Sequence, residues 1–351
     1  MRDLNIGDLV RENIKKLKPY SSARNEYTGD ASVFLDANEN SYGSPLEENF
    51  NRYPDPLQWL LKDEIAKIKG VPPQNIFIGN GSDEIIDIAF RVFCEPGKDN
   101  VIICPPTYGM YKVCAGINNI EVREINLTVE FFQLDVEAIL SAVNEHTKLL
   151  FICSPNNPTG NNMHRMDIEI LLNNFSGIVI IDEAYINFSR QKTFIQELTE
   201  YENLVVMQTL SKAWGLAALR LGLGFTSEKI IDLFNKVKPP YNINQASQQL
   251  AIKALSNIKE VNGNIKNTVE QRNQVQQQLR QFNFIEKIYP SDSNFILIKV
   301  MDADKLYRYL LSNKIIVRNR SKEPLCENCL RVTIGTSGEN ETLINALKNY
   351  E

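Results

Sequence analysis

Short apolar runs alternate with amphipathic stretches through the first two thirds of the chain. The apolar runs predict strands near residues 76–79, 101–104, 148–153, 178–182, 204–208 and 221–225. Apolar positions at helical spacing predict helices near 82–94, 135–144, 165–174 and 228–237. Strands and helices that alternate in this way indicate a largely parallel sheet covered on both faces, and therefore an α/β fold.

The pattern changes in the last third of the chain. A polar, glutamine-rich region at about 245–282 keeps a broken apolar stripe, which predicts one long helix that joins two domains. Strands near 295–300, 315–318 and 330–334 and helices near 303–312 and 340–349 then predict a small α+β domain. The predicted boundaries are an N-terminal arm at 1–31, a large domain at 32–282 and a small domain at 283–351. We expect the arm to pack on the small domain and across the mouth of the site.

Length and charge narrow the class of protein. A chain of 351 residues can bury the core of one large and one small domain. Its net charge of −5 provides no basic field for nucleic acid. The first residues lack the apolar core of a signal peptide, and no apolar run approaches membrane-spanning length. We therefore expect a cytoplasmic protein that binds neither nucleic acid nor membrane.

Cysteine and histidine are few and scattered. Several of the six cysteines lie in apolar segments, which predicts reduced core residues. Cys326 and Cys329 have C-x-x-C spacing, but no second pair or histidine partner accompanies them, so we expect no metal. The chain has only two histidines, which leaves lysine as the plausible carrier of protons in a catalytic site.

The first polar segment with chemical potential opens a helix. The sequence N-I-F-I-G-N-G-S-D-E passes from a short strand through Gly81 to Ser82 and Asp83. Glycine allows close approach of a phosphate, and a helix N-terminus offers unpaired N–H groups. The third glycine of a dinucleotide fingerprint and the lysine of a P-loop are missing. The alternative is a cap that serves only the helix.

Two further segments place polar side chains at the ends of apolar strands. Asn157 lies in S-P-N-N-P-T-G, where the following proline disfavours helix and leaves the amide free to point into a cleft. Asp182 ends G-I-V-I-I-D, and Tyr185 follows three residues later. An aspartate can pair with a protonated pyridine nitrogen, and a phenol can bind a phenolic oxygen. A structural turn and a helix cap are the alternatives.

The fourth segment, T-L-S-K-A-W-G-L-A-A-L-R, follows the apolar run Leu204–Met207. Lys212 can form a Schiff base with an aldehyde, while Ser211 and Arg220 suit a phosphate. Pyridoxal phosphate (PLP) carries both groups. A solvated surface lysine is the alternative for this segment taken alone.

Together and in this order, the four segments resemble the fold-type-I PLP-dependent aminotransferases. Flanking segments narrow the resemblance to the histidinol-phosphate aminotransferases of histidine biosynthesis. These are K-P-Y at 18–20, S-A-R at 22–24, L-D-A-N-E-N at 35–40, R-Y-P-D at 52–55, C-P-P-T-Y-G-M-Y at 104–111 and C-L-R-V-T-I-G-T at 329–336. The resemblance runs from about Leu17 to about Lys348 and implies a large domain with a mostly parallel sheet plus a small C-terminal α+β domain.

The resemblance implies PLP as cofactor and a role for each matching residue. Lys212 holds the cofactor and moves the proton, Asp182 pairs with the ring nitrogen, and Tyr185 and Asn157 bind the phenolic oxygen. Tyr108 stacks on the ring. The phosphate is held by N–H groups of Gly81, Ser82 and Asp83, by Ser211 and Arg220, and by Tyr53 of the neighbouring subunit, which implies a homodimer.

The same resemblance places the substrate. Arg318 and Arg331 are two cations for anionic substrates, and Tyr20 and Asn38 match positions at the substrate end. An internal salt bridge is the alternative for the arginines. The implied reaction converts histidinol phosphate and 2-oxoglutarate into imidazole-acetol phosphate and glutamate. The alternatives are an aromatic or broad-range aminotransferase, a threonine-phosphate decarboxylase, and a non-catalytic PLP-binding regulator.

Overall fold

The computed structural model describes residues 5–20 and 32–350, which form two sheets and the helices around them. The strands are β1 Ile76–Asn80, β2 Asn100–Ile103, β3 Glu121–Glu124, β4 Thr147–Cys153, β5 Ile178–Asp182, β6 Leu204–Thr209, β7 Leu221–Phe225, β8 Ile285–Ile288, β9 Phe295–Val300, β10 Arg318–Asn319 and β11 Cys329–Thr333. The helices are α1 Ile6–Leu9, α2 Glu12–Lys16, α3 Trp59–Lys69, α4 Ser82–Phe93, α5 Met110–Ile117, α6 Val136–Ser141, α7 Arg165–Asn174, α8 Glu228–Val237, α9 Gln245–Leu255, α10 Ile258–Leu279, α11 Ala303–Ser312 and α12 Ser337–Lys348.

The large sheet has seven strands in the order β1-β7-β6-β5-β4-β2-β3. Strand β7 is antiparallel to both of its neighbours, and the remaining pairs are parallel. Strand β1 therefore runs in the same direction as β6. As a result, the C-terminal ends of β1, β4, β5 and β6 and the start of β7 all lie at one edge of the sheet, which is where open α/β sheets bind ligands.

Side chains of the central strands are buried on both faces of this sheet. In β4, Leu149 and Phe151 join one apolar cluster, whereas Leu150 and Ile152 join the other. Successive side chains of a strand point to opposite faces, so a strand covered on both sides must be apolar throughout. The prediction of a mostly parallel sheet between two helical layers is confirmed.

The second sheet has four antiparallel strands in the order β10-β11-β9-β8. Its core includes Ile296 and Ile298 from β9, Leu306 from α11 and Leu343 from α12. Helix α12 begins with a capping box, in which Thr336 and Glu339 exchange side-chain and backbone hydrogen bonds. The predicted small α+β unit is confirmed.

Several elements differ from the prediction. The region 245–282 forms two helices, α9 and α10, with Ser256 and Asn257 between them, and not the single long helix that we expected. Strands β3 and β8 and helices α1, α2, α3 and α5 were not predicted, and the strand expected at 315–318 begins only at Arg318. Strands β3 and β8 contain no fully buried residue, so they lack the continuous apolar run that marks the others.

The predicted arm is described in part, because residues 1–4 and 21–31 lie outside the described residues. Ile6, Val10 and Ile14 are buried in the apolar cluster that contains α4, and the Arg11 N–H donates to the Val92 carbonyl oxygen at 3.0 Å. This part of the arm therefore packs on the large sheet's helical layer and not on the small sheet. Among residues 5–20 and 32–350, no helix has the length and apolar character needed to cross a membrane.

Candidate active site

A cavity of about 380 Å³ lies at the edge where the strands of the large sheet end. Its lining includes the residues predicted for the cofactor from all four polar segments, together with Tyr108 and the two predicted substrate arginines. The lining residues are Gly81, Ser82, Asp83, Tyr108, Cys153, Asn157, Asp182, Ala184, Tyr185, Thr209, Ser211, Lys212, Ala217, Arg220, Arg318, Arg320 and Arg331. Of these, Cys153, Ala184, Thr209, Ala217 and Arg320 were not predicted.

Lys212 stands three residues beyond the end of β6. Its Nζ lies 5.8 Å from the centre of the Tyr185 ring. Desolvation lowers the pKa of Lys212, and the nearby Arg331 guanidinium lowers it further, whereas the Asp182 carboxylate opposes the shift. A lysine whose charged form is disfavoured has more of its amine free to attack an aldehyde.

Asp182, the last residue of β5, is only 4% exposed and keeps two hydrogen bonds. Its Oδ2 accepts from the Tyr111 hydroxyl at 2.7 Å, and its Oδ1 accepts from the Ala184 N–H at 3.0 Å. Burial raises the pKa of Asp182, while both hydrogen bonds favour the ionised form. Tyr111 was not predicted to take part, although it ends the C-P-P-T-Y-G-M-Y segment. A buried carboxylate held in one orientation suits a cationic ring nitrogen.

The N-terminus of α4 forms another wall of the cavity. Its cap, Gly81, has a φ of +78°, which favours glycine, and the helix has no side-chain cap. The Gly81 N–H donates to the Arg220 carbonyl oxygen at 2.7 Å. The Gly81 N–H is therefore already used and not free for phosphate, which differs from the expectation for this residue. Ser82 and Asp83 lie in the first turn of α4, whose N–H groups lack partners within the helix.

Strand β7 approaches this wall closely. A Cβ atom at Gly222 would lie 2.3 Å from the backbone of Gly81 and Ser82, so only glycine fits. Arg220, the residue before β7, has a φ of +55°, and its guanidinium lies 3.7 Å from Asp83 Oδ2. The Ser211 and Thr209 hydroxyl groups are 3.0 Å apart beside it. Hydroxyl, guanidinium and helix N–H groups together form a suitable phosphate cradle.

Asn157 and Tyr185 connect this end of the cavity with the small sheet. Asn157 Oδ1 accepts from Arg331 Nη1 at 2.5 Å, which leaves the Asn157 Nδ2 group to donate into the cavity. The Tyr185 ring packs edge-on against Phe295 of β9. Burial raises the pKa of Tyr185, so its hydroxyl stays protonated and can donate. The Tyr108 hydroxyl donates to Asp83 Oδ1 at 3.0 Å, with its ring facing the cavity.

Three predicted residues are not brought to this cavity within one chain. Tyr53 and Asn38 line a second cavity of about 520 Å³, where the Tyr53 ring stacks on Tyr241 at 4.5 Å between centroids. Tyr20 is 70% exposed. Of the N-terminal motif residues, Ser22, Ala23 and Arg24 lie outside the described part of the chain.

All six cysteines are buried and unpaired, as expected for core residues. In the described ranges, 5–20 and 32–350, no group of three or more His, Cys, Asp and Glu side chains is arranged to hold a metal ion.

The side chains of the cavity fit PLP. Lys212 provides an amine for the aldehyde, and Asp182 provides an oriented carboxylate for the ring nitrogen. The start of α4, Ser211 and Arg220 provide hydrogen-bond donors for the phosphate. The fold and this cavity define a PLP-dependent aminotransferase of fold type I. The chain belongs to the family of class I and II aminotransferases, which it matches over residues 23–347.

Particular relatives are more specific than the family. A histidinol-phosphate aminotransferase from Bacteroides thetaiotaomicron is 56% identical over 347 residues, which covers 99% of each chain. Among solved structures, histidinol-phosphate aminotransferase from Clostridium acetobutylicum superposes with a TM-score of 0.79 at 24% identity, covering 86% of this chain and 90% of that one. The same enzyme from Sinorhizobium meliloti, in complex with pyridoxal-5'-phosphate, gives 0.79 at 22% identity, covering 89% of each chain. At such identities the two structures support the fold.

Proposed function

We propose that the chain transfers the amino group of histidinol phosphate to 2-oxoglutarate, which yields imidazole-acetol phosphate and glutamate in histidine biosynthesis. The identity of 56%, over 99% of each chain, to a histidinol-phosphate aminotransferase supports this substrate. The observation in the structure that carries the proposal is the pair Arg318 and Arg331, which faces the same cavity as Lys212. Paired guanidinium groups suit a phosphate or a carboxylate through bidentate hydrogen bonds.

In this proposal the residues of the large sheet hold the cofactor. Ser82, Asp83, Ser211 and Arg220 bind its phosphate, and Asp182 keeps its ring nitrogen protonated. PLP, when bound, withdraws electrons from the substrate carbon that bears the amine. Lys212 Nζ accepts the proton from that carbon, and the lowering of its pKa by desolvation and by Arg331 leaves more of the amine unprotonated and able to accept it. Asn157 and Tyr185 donate to the phenolic oxygen of the cofactor.

We also propose a cytoplasmic homodimer in which Tyr53 of one copy reaches the cofactor phosphate of the other. Tyr53 is 51% exposed, and its own chain keeps it away from the Lys212 cavity. Exposed apolar side chains in the same part of the chain, such as Leu35 and Leu60, suit a covered face. Six unpaired cysteines suit a reducing compartment.

We also propose that the chain divides into a large domain at 32–282 and a small domain at 283–351.

A panel of amino donors tests the substrate. Each donor is mixed with the purified, PLP-loaded enzyme, and the spectral change of the half-reaction gives its specificity constant. We expect the specificity constant for histidinol phosphate to exceed that for unphosphorylated histidinol strongly, because histidinol offers no phosphate to Arg318 or to the half-buried Arg331. A preference for phenylalanine or tyrosine would replace the proposal with an aromatic aminotransferase, and carbon dioxide released from threonine phosphate would indicate a decarboxylase.

A further inference from the structure

The ribbon formed by β10 and β11 presents three arginines to the active-site cavity. Arg318 pairs directly with Arg331 across the two antiparallel strands. Arg320 follows Arg318 by two residues and stays in the ladder, because its N–H donates to the Cys329 carbonyl oxygen at 2.8 Å. Residues two apart on a strand share a face, so all three side chains leave the ribbon on the same side. All three line the cavity that contains Lys212.

Like charges placed opposite each other on a sheet destabilise it. The crowding is visible in the pKa of Arg331, which burial lowers first and the neighbouring Arg320 guanidinium lowers next. Cationic side chains line the cavity at Lys212, Arg220, Arg318, Arg320 and Arg331, and carboxylates at Asp83 and Asp182. With Lys212 charged, one phosphate dianion at the cofactor end does not neutralise all of this positive charge. The remaining positive charge lies at the ribbon and attracts a second anion there.

Arg320 has hydrogen-bond donors to spare. Its side chain is 19% exposed, its Nε is buried without a partner in the described chain, and its Nη1 reaches Glu323 at a loose 3.3 Å. The buried Nε of Arg331 is likewise without a partner there, since the contact with Asn157 uses Nη1. Buried donors without acceptors are costly, so their recurrence on one face indicates a bound group rich in acceptor oxygens.

We propose that Arg320 is a specificity-determining residue that binds the phosphate of the amino donor together with Arg318 and Arg331. Three guanidinium groups favour a phosphate dianion over a single carboxylate, because the third cation gains little from a monoanion that the other two already satisfy. Arg320 therefore raises selectivity for the phosphorylated donor over glutamate. This inference rests on the proposed function for its physiological substrate, although its chemistry concerns any phosphate group at the ribbon.

The test uses the PLP-loaded enzyme and inorganic phosphate as the probe. Phosphate should inhibit the glutamate half-reaction competitively in the wild type, and Arg320→Gln should raise its inhibition constant by about 10- to 100-fold, the range for a lost hydrogen bond to a charged group. The KM for histidinol phosphate should rise in parallel. The specificity constant for glutamate should change by less than about threefold, because Arg318 and Arg331 already bind a single carboxylate and the third cation adds no more than a weak ion pair.

Two matched variants separate recognition from structure. Arg308→Gln removes an exposed arginine from α11, in the same part of the fold, and should change nothing. Glu323→Gln removes the partner that Arg320 contacts and should leave phosphate inhibition intact. If Arg320→Gln does not fold, Arg320→Lys keeps the charge without the fork and should give a smaller loss of phosphate affinity.

Unchanged inhibition by phosphate in a folded Arg320 variant would overturn the inference. So would a loss of phosphate affinity in Glu323→Gln as large as that in Arg320→Gln, or a wild type that phosphate does not inhibit. Equal losses for glutamate and phosphate would also overturn it, because selectivity would be unaltered. A different outcome is that the wild type does not react with histidinol phosphate, while Arg320→Gln still weakens inhibition by phosphate. This outcome would refute only the proposed substrate and leave the role of Arg320 intact.

Discussion

Two adjacent buried carboxylates in the D-E-A-Y segment allow a matched test of the cofactor site. Asp182 faces the cavity, whereas Glu183 does not. The Glu183 side chain accepts from the Thr193 hydroxyl, from the Phe194 N–H at 2.7 Å and from Gln208 Nε2 at 2.9 Å. Asp182→Asn and Glu183→Gln therefore make the same chemical change at neighbouring positions with different surroundings.

Asp182→Asn should lower the turnover rate by at least about 100-fold, or about 2.7 kcal/mol in activation free energy, as expected for one preorganised electrostatic group. The amide has nearly the same shape and can still accept one of the two hydrogen bonds that hold the carboxylate. It has no charge to keep the ring nitrogen protonated, so the loss should fall on turnover and hardly on the melting temperature.

Glu183→Gln should show the opposite result. The substitution weakens charge-assisted hydrogen bonds, each worth about 1.5–3 kcal/mol, and removes the negative charge that Lys69 approaches through Gln208. Burial raises the pKa of Glu183, so the native carboxylate depends on these donors to remain charged. We expect a melting temperature several degrees lower, with the turnover of the folded fraction nearly unchanged.

Half-reaction kinetics, the visible spectrum of the loaded enzyme and thermal unfolding of both variants decide the matter. Near-normal turnover in Asp182→Asn would refute the assignment of the ring-nitrogen partner and leave Asp182 as a buried structural residue. A large kinetic loss in stable Glu183→Gln would show that the two carboxylates act together.

Three other predictions follow from the same geometry. Lys212→Ala should bind PLP without covalent attachment and lose transamination, and borohydride should fix the cofactor of the wild type to the peptide that contains Lys212; label on another lysine would refute this. Tyr53→Phe should weaken PLP retention without unfolding, and mixing it with Lys212→Ala should restore part of the activity in mixed dimers, whereas full activity of a monomer would argue against shared sites. Gly222→Ala should lower PLP affinity at least about tenfold by moving the Gly81 backbone, an amount of the size of one lost hydrogen bond to phosphate; Gly224→Ala, whose Cβ would meet only side-chain atoms at 3.4 Å or more, is the control.

The central strands and the cofactor end were predictable because their residues carry local signals. Strands β4, β5 and β6 each contain an unbroken apolar run, at 149–153, 178–181 and 204–207, as burial on both faces demands, and polar residues follow each run directly. The edge strands β3 and β8 are partly exposed, so their sequences, E-V-R-E and I-E-K-I, have no hydrophobic pattern that distinguishes them from polar loops or helices. The break between α9 and α10 contains no proline or glycine to mark it.

Tyr111 and Arg320 were missed for a different reason. Tyr111 is a fully buried aromatic on a helix, which by sequence pattern alone is a core residue. Only the fold brings its hydroxyl to Asp182, 71 residues away. Arg320 did have a usable signal, since its spacing of two from Arg318 places both on one strand face. That signal became meaningful only when the register set Arg331 opposite them. The use of the Gly81 N–H by Arg220 likewise depends on a tertiary contact.

The cavity is divided between two sheets, and this division has an evolutionary consequence. The side chains proposed to hold the cofactor follow strands of the seven-stranded sheet, while the three arginines lie on a short antiparallel ribbon of the other. Substitutions at Arg318 and Arg320 can therefore alter which acid group is accepted, whereas Arg331 also contacts Asn157 and lowers the pKa of Lys212 and is tied to the shared chemistry. After gene duplication, substitutions in this ribbon alone can change which amino donor an enzyme accepts. Exchanging the ribbon between homologues is therefore a direct way to engineer new donor specificities.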